Sequence, residues 1–311
     1  GNLGGLSLML FVLFAFALPG TQDWSFLPTQ PLFGLDQATH EHDRIVGPII
    51  GIWVLLFSLP VLLFTPDGKA TNLGLSEVVR SGLTDVLETV KQLIKHYANI
   101  ARYLLARMFY NDGMVGVLVF GGIYASGTFN WGSTTLLIFG LCTSLSAMVG
   151  AYLGGLLDDK LGSMKTLKIA VGMSSLILLT LVSFQPGTIF FVVPVSTEAV
   201  WSFPYFSTVA EIAYFCTNQF FALFFVTGLS ASRTLMARIS PPQMAAQFFG
   251  LYGLSGSVTA FLAPLLVATT TTYFQSQRAG FASLVILMLI GGVMLLWVKE
   301  TQSTVAPREN S

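Results

Sequence analysis

The chain has 311 residues, of which 53% are hydrophobic and only 10% are charged, and its formal net charge is zero. Soluble domains carry about a quarter charged residues, so this composition excludes an ordinary soluble protein and indicates an integral membrane protein. The balanced charge gives no reason to expect a nucleic-acid partner. Cys142 and Cys216 both fall inside apolar stretches, where we expect reduced packing residues and no disulfide or zinc framework.

Eight apolar stretches predict an all-α, polytopic membrane protein. They cover residues 3–18, 46–64, 104–126, 134–156, 166–184, 212–232, 247–270 and 280–298. Most of them reach the ~20 residues that an α-helix needs to cross a ~30 Å hydrocarbon layer. The first is shorter, because the chain begins inside it. Residues 188–195 are apolar but too short to span, and we expect them in an outer loop.

The basic residues predict the direction in which the chain is threaded. Thirteen of the 15 Lys and Arg residues fall in or next to the loops after the second, fourth, sixth and eighth stretches. The opposite side has only Arg44 and Arg278. The positive-inside rule therefore makes the first set of loops cytoplasmic.

The widest polar gap lies between the second and third stretches and predicts an amphipathic helix. Apolar residues from Leu75 to Ile94 recur there at three- and four-residue steps, with charged residues between them. We therefore expect four regions: the last two spans of an N-terminal bundle (1–64), a cytoplasmic linker (65–103), a six-span bundle (104–300) and a cytoplasmic tail (301–311). This is a twelve-span, six-plus-six arrangement without its first four spans, so about eight of twelve spans are expected here.

Several motifs carry a family resemblance. The turn from Gly155 to Gly162, GLLDDKLG, resembles the G-x-L-A-D-R-x-G signature of the major facilitator superfamily. The segments YNDG (110–113), SRTLMAR (232–238) and FFGLYGLSG (248–256) resemble the vacuole effluxer branch of that superfamily, and the look of the chain is closest to bacterial members. The resemblance implies a helical bundle of the major facilitator type and a permease that exports small solutes, with amino acids as the leading substrate class.

The resemblance also implies a cytoplasmic gate. In the superfamily, the Asp of the signature contacts the neighbouring bundle in one conformational state only, and such a contact biases alternating access. The alternative is a solvated turn that only obeys topology. The residues assigned to gating are Gly155, Asp159, Lys160, Gly162, Arg233 and Arg238.

Asp112 is the sharpest candidate for chemistry, because an ionisable group in a membrane span costs at least ~2.5 kcal/mol near the bilayer centre and is usually paired or functional. Its carboxylate could take up a proton or cation, or bind a substrate amine. The structural alternative is an interfacial carboxylate capped by Arg107 or Arg233. Asn111 beside it is a candidate for a hydrogen bond across the bundle.

Further polar residues lie inside the sixth and seventh stretches. Asn218 and Gln219 are candidates for lining the solute pathway, although amides in spans also join helices to one another. Tyr252 and Ser255 belong to a polar patch of the seventh stretch. The small residues of the fourth stretch, in contrast, predict close helix packing; they are Ala147, Gly150, Ala151, Gly154 and Gly155.

No nucleotide-binding loop and no nucleophile constellation occurs, so we expect neither an ATP-driven pump nor an enzyme. We expect no cofactor and no metal: the outer-loop run His40 to Asp43 has adjacent side chains that rarely reach one ion. The expected partners are the lipid bilayer and a small solute, with proton coupling as a possibility; the oligomeric state is open.

The sequence thus predicts a secondary active permease in a bacterial inner membrane or, alternatively, a vacuolar membrane. The alternatives left open are an exporter of a sugar, drug or siderophore, and a truncated membrane protein that does not transport.

Overall fold

The computed structural model describes residues 2–20, 25, 27–36, 39–65 and 74–300. The predicted tail (301–311), Lys69 and Arg308 lie outside the described residues. Within that part of the chain, seven helices are long and apolar enough to cross a membrane, and a shorter apolar helix covers Gly4–Ala17. The prediction of an all-α, polytopic membrane bundle is therefore confirmed.

The first part of the chain contains the following elements: α1 (Asn2–Val12) with a π-helical turn (Leu13–Ala17), a 3-10 turn (Leu32–Gly34), α2 (Glu41–Arg44), α3 (Val46–Phe64), α4 (Leu75–His96), α5 (Ala98–Phe129) and α6 (Ser133–Leu161). The second part contains α7 (Ser163–Ser183), β1 (Thr188–Ile189), β2 (Val193–Pro194), α8 (Val209–Ile239), a 3-10 turn (Pro242–Met244), α9 (Ala245–Ser257), α10 (Leu262–Phe274), α11 (Gln277–Met294) and a last 3-10 turn (Leu295–Trp297).

The short apolar segment at 188–195 does not span a membrane. It forms a small antiparallel hairpin in which Thr188 pairs with Pro194 and Ile189 with Val193. The linker forms the predicted helix, α4, on which Leu93 is buried while Leu87 and Ile94 are exposed. An apolar side chain on an exposed helix face is the arrangement expected of a helix that lies on a membrane surface or a partner.

The chain divides into two compact units. The smaller one comprises Gly1–Thr84 and Trp131–Leu145, and the larger one comprises Asp85–Asn130 and Ser146–Ser311. In the smaller unit, Leu13, Ala17, Leu18 and Leu141 form an apolar cluster. No residue of α3 is buried. In a membrane this helix would present its apolar surface to lipid or to further helices.

In the larger unit, α5 packs along α11 through glycines. A Cβ atom at Gly113 would lie 2.6 Å from Met288 Cγ, and one at Gly116 would lie 2.8 Å from Leu284 Cδ2. Without a hydrophobic driving force inside a bilayer, helices associate by close packing, and small residues permit it. The glycine of the YNDG motif therefore has a packing role.

The predicted packing of α6 is confirmed for two of its small residues. A Cβ atom at Gly150 would lie 2.7 Å from Leu223 Cα, and one at Gly154 would lie 2.9 Å from Thr227 Cα, so both glycines lie against α8. Gly155 is different, because nothing within the described structure lies within 4 Å of a Cβ placed there. The prediction of close packing was wrong for Gly155.

The seventh apolar stretch, predicted as one continuous span, is broken. α9 ends at Ser257, α10 begins at Leu262, and Val258–Phe261 forms turns between them. Pro264 explains the break: proline has no backbone N–H, and its ring clashes with the carbonyl of the residue four positions earlier, Ala260. The broken pair α9–α10 places backbone polar groups inside the membrane-spanning region, where another element must satisfy them.

Candidate functional site

Asp112 provides a hydrogen-bond partner for a backbone group at the start of α10. Its carboxylate Oδ2 accepts a hydrogen bond of 3.1 Å from the backbone N–H of Ala263, in the first turn of α10, and the side chain is only 5% exposed. The first N–H groups of a helix have no partner within the helix, and the helix dipole favours negative charge there. Asp112 therefore acts as an N-terminal cap delivered from a neighbouring helix.

Asp112 lies near the middle of helix α5. Helix α5 begins at Ala98, six residues before the predicted stretch at 104. At 1.5 Å per residue, Asp112 lies ~21 Å along a helix of ~48 Å, close to its middle. Thr259, in the break, also contacts α5, because its Oγ1 donates a 3.2 Å hydrogen bond to the carbonyl of Met108.

Arg107 does not cap Asp112, so that structural alternative was wrong for this pair. Its Nη1 donates hydrogen bonds of 2.7 Å to the carbonyl oxygen of Tyr252 and to Ser255 Oγ, and its guanidinium carbon lies 3.7 Å from the centre of the Tyr252 ring. The side chain is buried. Arg233, the other suggested partner, is exposed.

A buried cluster of hydroxyl groups surrounds Ser232, which was predicted only as part of a motif. Its Oγ lies 2.7 Å from the Tyr103 hydroxyl, 2.9 Å from that of Tyr110 and 3.0 Å from that of Tyr252. Tyr103 also donates to the Ser232 carbonyl at 2.6 Å. One hydroxyl can donate once and accept twice, so three tyrosines saturate Ser232 Oγ and join α5, α8 and α9.

The predicted pathway residues therefore fall into two groups. Asn111, Asp112, Tyr252 and Ser255 all lie at the junction of α5 with the broken pair α9–α10, and all four are buried. Asn218 is also buried but lies on α8.

Gln219 joins two helices. It is half-buried, its Oε1 accepts a 2.9 Å hydrogen bond from Ser146 of α6, and its Nε2 donates to the carbonyl of Phe215. These contacts are those of a residue that holds helices together.

The predicted gate residues do not all come together. Asp159, Lys160 and Arg233 are exposed, and Asp159 makes no ion pair within the described ranges. Instead, the neighbouring Asp158 is buried and faces Arg238, with Oδ2 3.7 Å from Nη2. Nη1 of Arg238 also bonds Glu300 Oε1 at 3.1 Å.

Two glycines of the gate motif take different positions in this region. Gly162 occupies a left-handed turn, with φ of 82°, next to Glu300. Gly155 faces open space.

Two of the cavities within the larger unit can be compared with the predicted site residues. A small cavity of about 80 Å³ is lined by Asn111, Asp112, Gly256, Ala260 and Ala263, among others. A wider groove of about 710 Å³ lies between α4 and α9, and none of the predicted site residues lines it. Of the two cavities, only the small one is therefore lined by predicted site residues, Asn111 and Asp112.

Comparison with known proteins agrees with this architecture. A family model described as "Vacuole effluxer Atg22 like" matches residues 5–307. The chain belongs to this family.

Curated relatives share its sequence at low identity. The chain is 22% identical over 263 residues to Autophagy-related protein 22 of Cryptococcus neoformans, covering 84% of this chain and 44% of the relative. It is 26% identical over 261 residues to the uncharacterized MFS-type transporter YxiO of Bacillus subtilis, covering 82% of this chain and 54% of that protein. The chain thus spans about half the length of the curated relatives it matches. The expected resemblance to the vacuole effluxer branch is confirmed.

Proposed function

We propose that the protein containing this chain is a secondary active permease that moves a small solute by alternating access. One observation carries the proposal: a carboxylate, Asp112, is buried near the middle of a membrane-spanning helix, at the N-terminus of a half-helix that begins where a span is broken. Discontinuous helices of this kind form the solute and ion sites of many secondary transporters. Membership of the effluxer family and the likeness to an MFS-type transporter support it.

The proposed substrate class is amino acids, and the proposed direction is export. Both rest on the description of the family as vacuole effluxers and on the resemblance of the motifs. In this reading Asn111, Asp112, Tyr252 and Ser255 border the solute pathway. Asn218 and Gln219 remain pathway candidates, although the contacts of Gln219 favour a packing role.

Proton coupling is proposed for Asp112. Its carboxylate has one hydrogen bond, from Ala263, and no cation pairs with it in the part of the chain that the structure describes. A carboxylate held in this way can change charge without breaking an ion pair, and protonation would weaken its attraction for the positive end of α10. The break between α9 and α10 is the element whose conformation such a change would bias.

The gate is proposed at the end of α6, with one revision of the motif assignment. Asp158, rather than Asp159, is the carboxylate that faces Arg238 within this bundle. Asp159, Lys160 and Arg233 are exposed and remain available for a contact made in another state. We place the protein in a bacterial inner membrane, with a vacuolar membrane as the alternative, and retain the four-region division at 64, 103 and 300.

Flux in proteoliposomes tests the proposal. Purified protein would be reconstituted, and uptake of each radiolabelled amino acid would be measured under an imposed proton gradient and as counterflow without one. Asp112→Asn should abolish gradient-driven flux and spare counterflow. Absence of flux for every amino acid with the intact protein would refute the substrate class, and equal gradient-driven flux in Asp112→Asn would refute the coupling role.

A further inference from the structure

Arg107 is a buried positive charge for which the described residues provide no negative partner. Its side chain is only 7% exposed, and no acidic residue pairs with it within the described ranges. Arginine stays protonated in proteins, and charged side chains are almost never buried unless they are paired. Burial of an isolated charge costs several kcal/mol even after relaxation. The charge is therefore available to an anion that is not part of the described protein.

The guanidinium is held at one end and on one face, and its second edge is buried without a hydrogen bond in the part of the chain that the structure describes. Nη1 bonds the Tyr252 carbonyl and Ser255 Oγ, and the Tyr252 ring covers the face at 3.7 Å. Nε, in contrast, is buried and has no hydrogen-bond partner among the residues that the structure describes. Nε and Nη2 together form the fork that binds a carboxylate through two parallel hydrogen bonds. The side chain is thus fixed in place with its carboxylate-binding edge unused.

Gly256 lies between Arg107 and the small cavity, whose lining residues include Gly256 but not Arg107. A Cβ atom at Gly256 would lie 2.9 Å from Nη1 and 3.2 Å from Nη2, and Gly256 also lines the cavity that holds Asn111 and Asp112. The absence of a side chain at this position lets the guanidinium approach the cavity wall. At about 80 Å³, the cavity can hold a few water molecules or one small polar group.

We infer that Arg107 is the anion-recognition residue of the permease and binds a carboxylate group of the transported solute. This inference rests on the proposed transport function and assigns Arg107 to the carboxylate that the proposed amino-acid substrates have in common. The competing explanation is that Arg107 is only a tether between α5 and α9. If Arg107 were only a tether, it would still need the hydrogen bonds of Nη1, but adding a carboxylate would not raise the unfolding temperature.

Ligand-dependent thermal unfolding of the purified chain in detergent micelles separates the two explanations. The probes are isovalerate, with a carboxylate only, isoamylamine, with an amine only, inorganic phosphate and L-leucine, all at constant ionic strength. Arg107→Gln removes the charge, whereas Arg107→Lys keeps the charge and loses the fork. Gly256→Ala forces the guanidinium to move. Arg102→Gln is the matched control, because Arg102 lies on the same helix and is exposed.

Isovalerate and L-leucine should raise the unfolding temperature of the wild type in a saturable way, and isoamylamine should not. In Arg107→Gln the apparent Kd should weaken about tenfold or more, as expected for loss of hydrogen bonds to a charged group. Arg107→Lys and Gly256→Ala should weaken it less, and Arg102→Gln should leave it unchanged. Should Arg107→Gln fail to fold, Arg107→Lys and Gly256→Ala decide the question.

The inference is overturned if no carboxylate probe shifts the wild type, if phosphate alone does, or if the shift is the same in the Arg107 variants. Leucine flux measured in parallel separates this failure from that of the permease. Carboxylate-dependent stabilisation that needs Arg107, without any flux, would keep the anion site and refute transport. Undiminished flux in Arg107→Gln would refute the site and leave the permease in place.

Discussion

The contact between Asp112 and the first turn of α10 gives a prediction that two substitutions can separate. Asp112→Ala removes both the oxygen that accepts from Ala263 N–H and the negative charge at the helix N-terminus. Asp112→Asn removes only the charge, because the amide oxygen can still accept the hydrogen bond. A comparison of the two variants therefore separates the contribution of the hydrogen bond to stability from that of the charge.

The expected sizes follow from the geometry. Loss of an N-terminal cap costs ~0.5–2 kcal/mol, and a charge at a partly buried helix terminus contributes up to ~2 kcal/mol. In both variants the lost dipole attraction is offset by removal of a buried charge for which the described residues supply no cation. Asp112→Ala should therefore lower the free energy of unfolding by ~0.5–2 kcal/mol through loss of the hydrogen bond. Asp112→Asn should stay within about 1 kcal/mol of the wild type, because its amide oxygen can still accept that bond.

The free energy of unfolding can be measured by SDS titration in detergent micelles, followed by tryptophan fluorescence. Amide hydrogen exchange adds a local measurement: the backbone of residues 262–266 should exchange faster in Asp112→Ala and at nearly the wild-type rate in Asp112→Asn. Wild-type stability and wild-type exchange in Asp112→Ala would refute the capping role. A loss as large in Asp112→Asn as in Asp112→Ala would show that the charge, and not the hydrogen bond, holds α10.

Three further predictions concern packing and charge. Ser232→Ala should lower the unfolding free energy by ~1–3 kcal/mol, because two buried tyrosine hydroxyls lose their partner; the exposed Ser257→Ala is the control, and equal effects would contradict the role of the hydroxyl cluster. Gly150→Ala should lower the unfolding free energy by ~1–3 kcal/mol, because the added methyl group clashes with α8. Gly155→Ala meets no neighbour in the described structure and should raise it by up to ~1 kcal/mol. Changes of the same sign for both variants in thermal unfolding would refute this packing. Asp158→Asn should lower the unfolding free energy by at most ~1 kcal/mol, because Arg238 is partly exposed. The loss should shrink at high salt, which screens the ion pair. A loss that is independent of salt would contradict an ion-pair origin.

Much of the fold could be read from the sequence because a bilayer imposes simple constraints. Spans must be helical and about 20 residues long, so apolar stretches mark them directly. The amphipathic pattern of α4 likewise follows from three- and four-residue spacing. The motifs indicated the family, since short polar and glycine-rich segments are conspicuous in an apolar chain.

The site was only partly predictable, because it depends on which helix faces meet. The sequence marked Asp112 as costly and, in the structural alternative, offered Arg107 or Arg233 as its cap. In the structure Arg107 turns toward Tyr252, and Asp112 meets Ala263, 151 residues later. The hydroxyl cluster of Tyr103, Tyr110 and Ser232 was missed. The sequence does not show which hydroxyl groups of different spans lie within hydrogen-bond distance of one another.

The sequence by itself determined the membrane class, the order of the apolar segments, the amphipathic linker and the family, because these depend on composition and local spacing. Only the tertiary structure decided which of two adjacent aspartates faces Arg238, which glycines of α6 contact α8, and that Asp112 caps a helix of another segment. Those outcomes depend on the rotation of each helix about its axis, which is fixed by close packing between residues far apart in the chain.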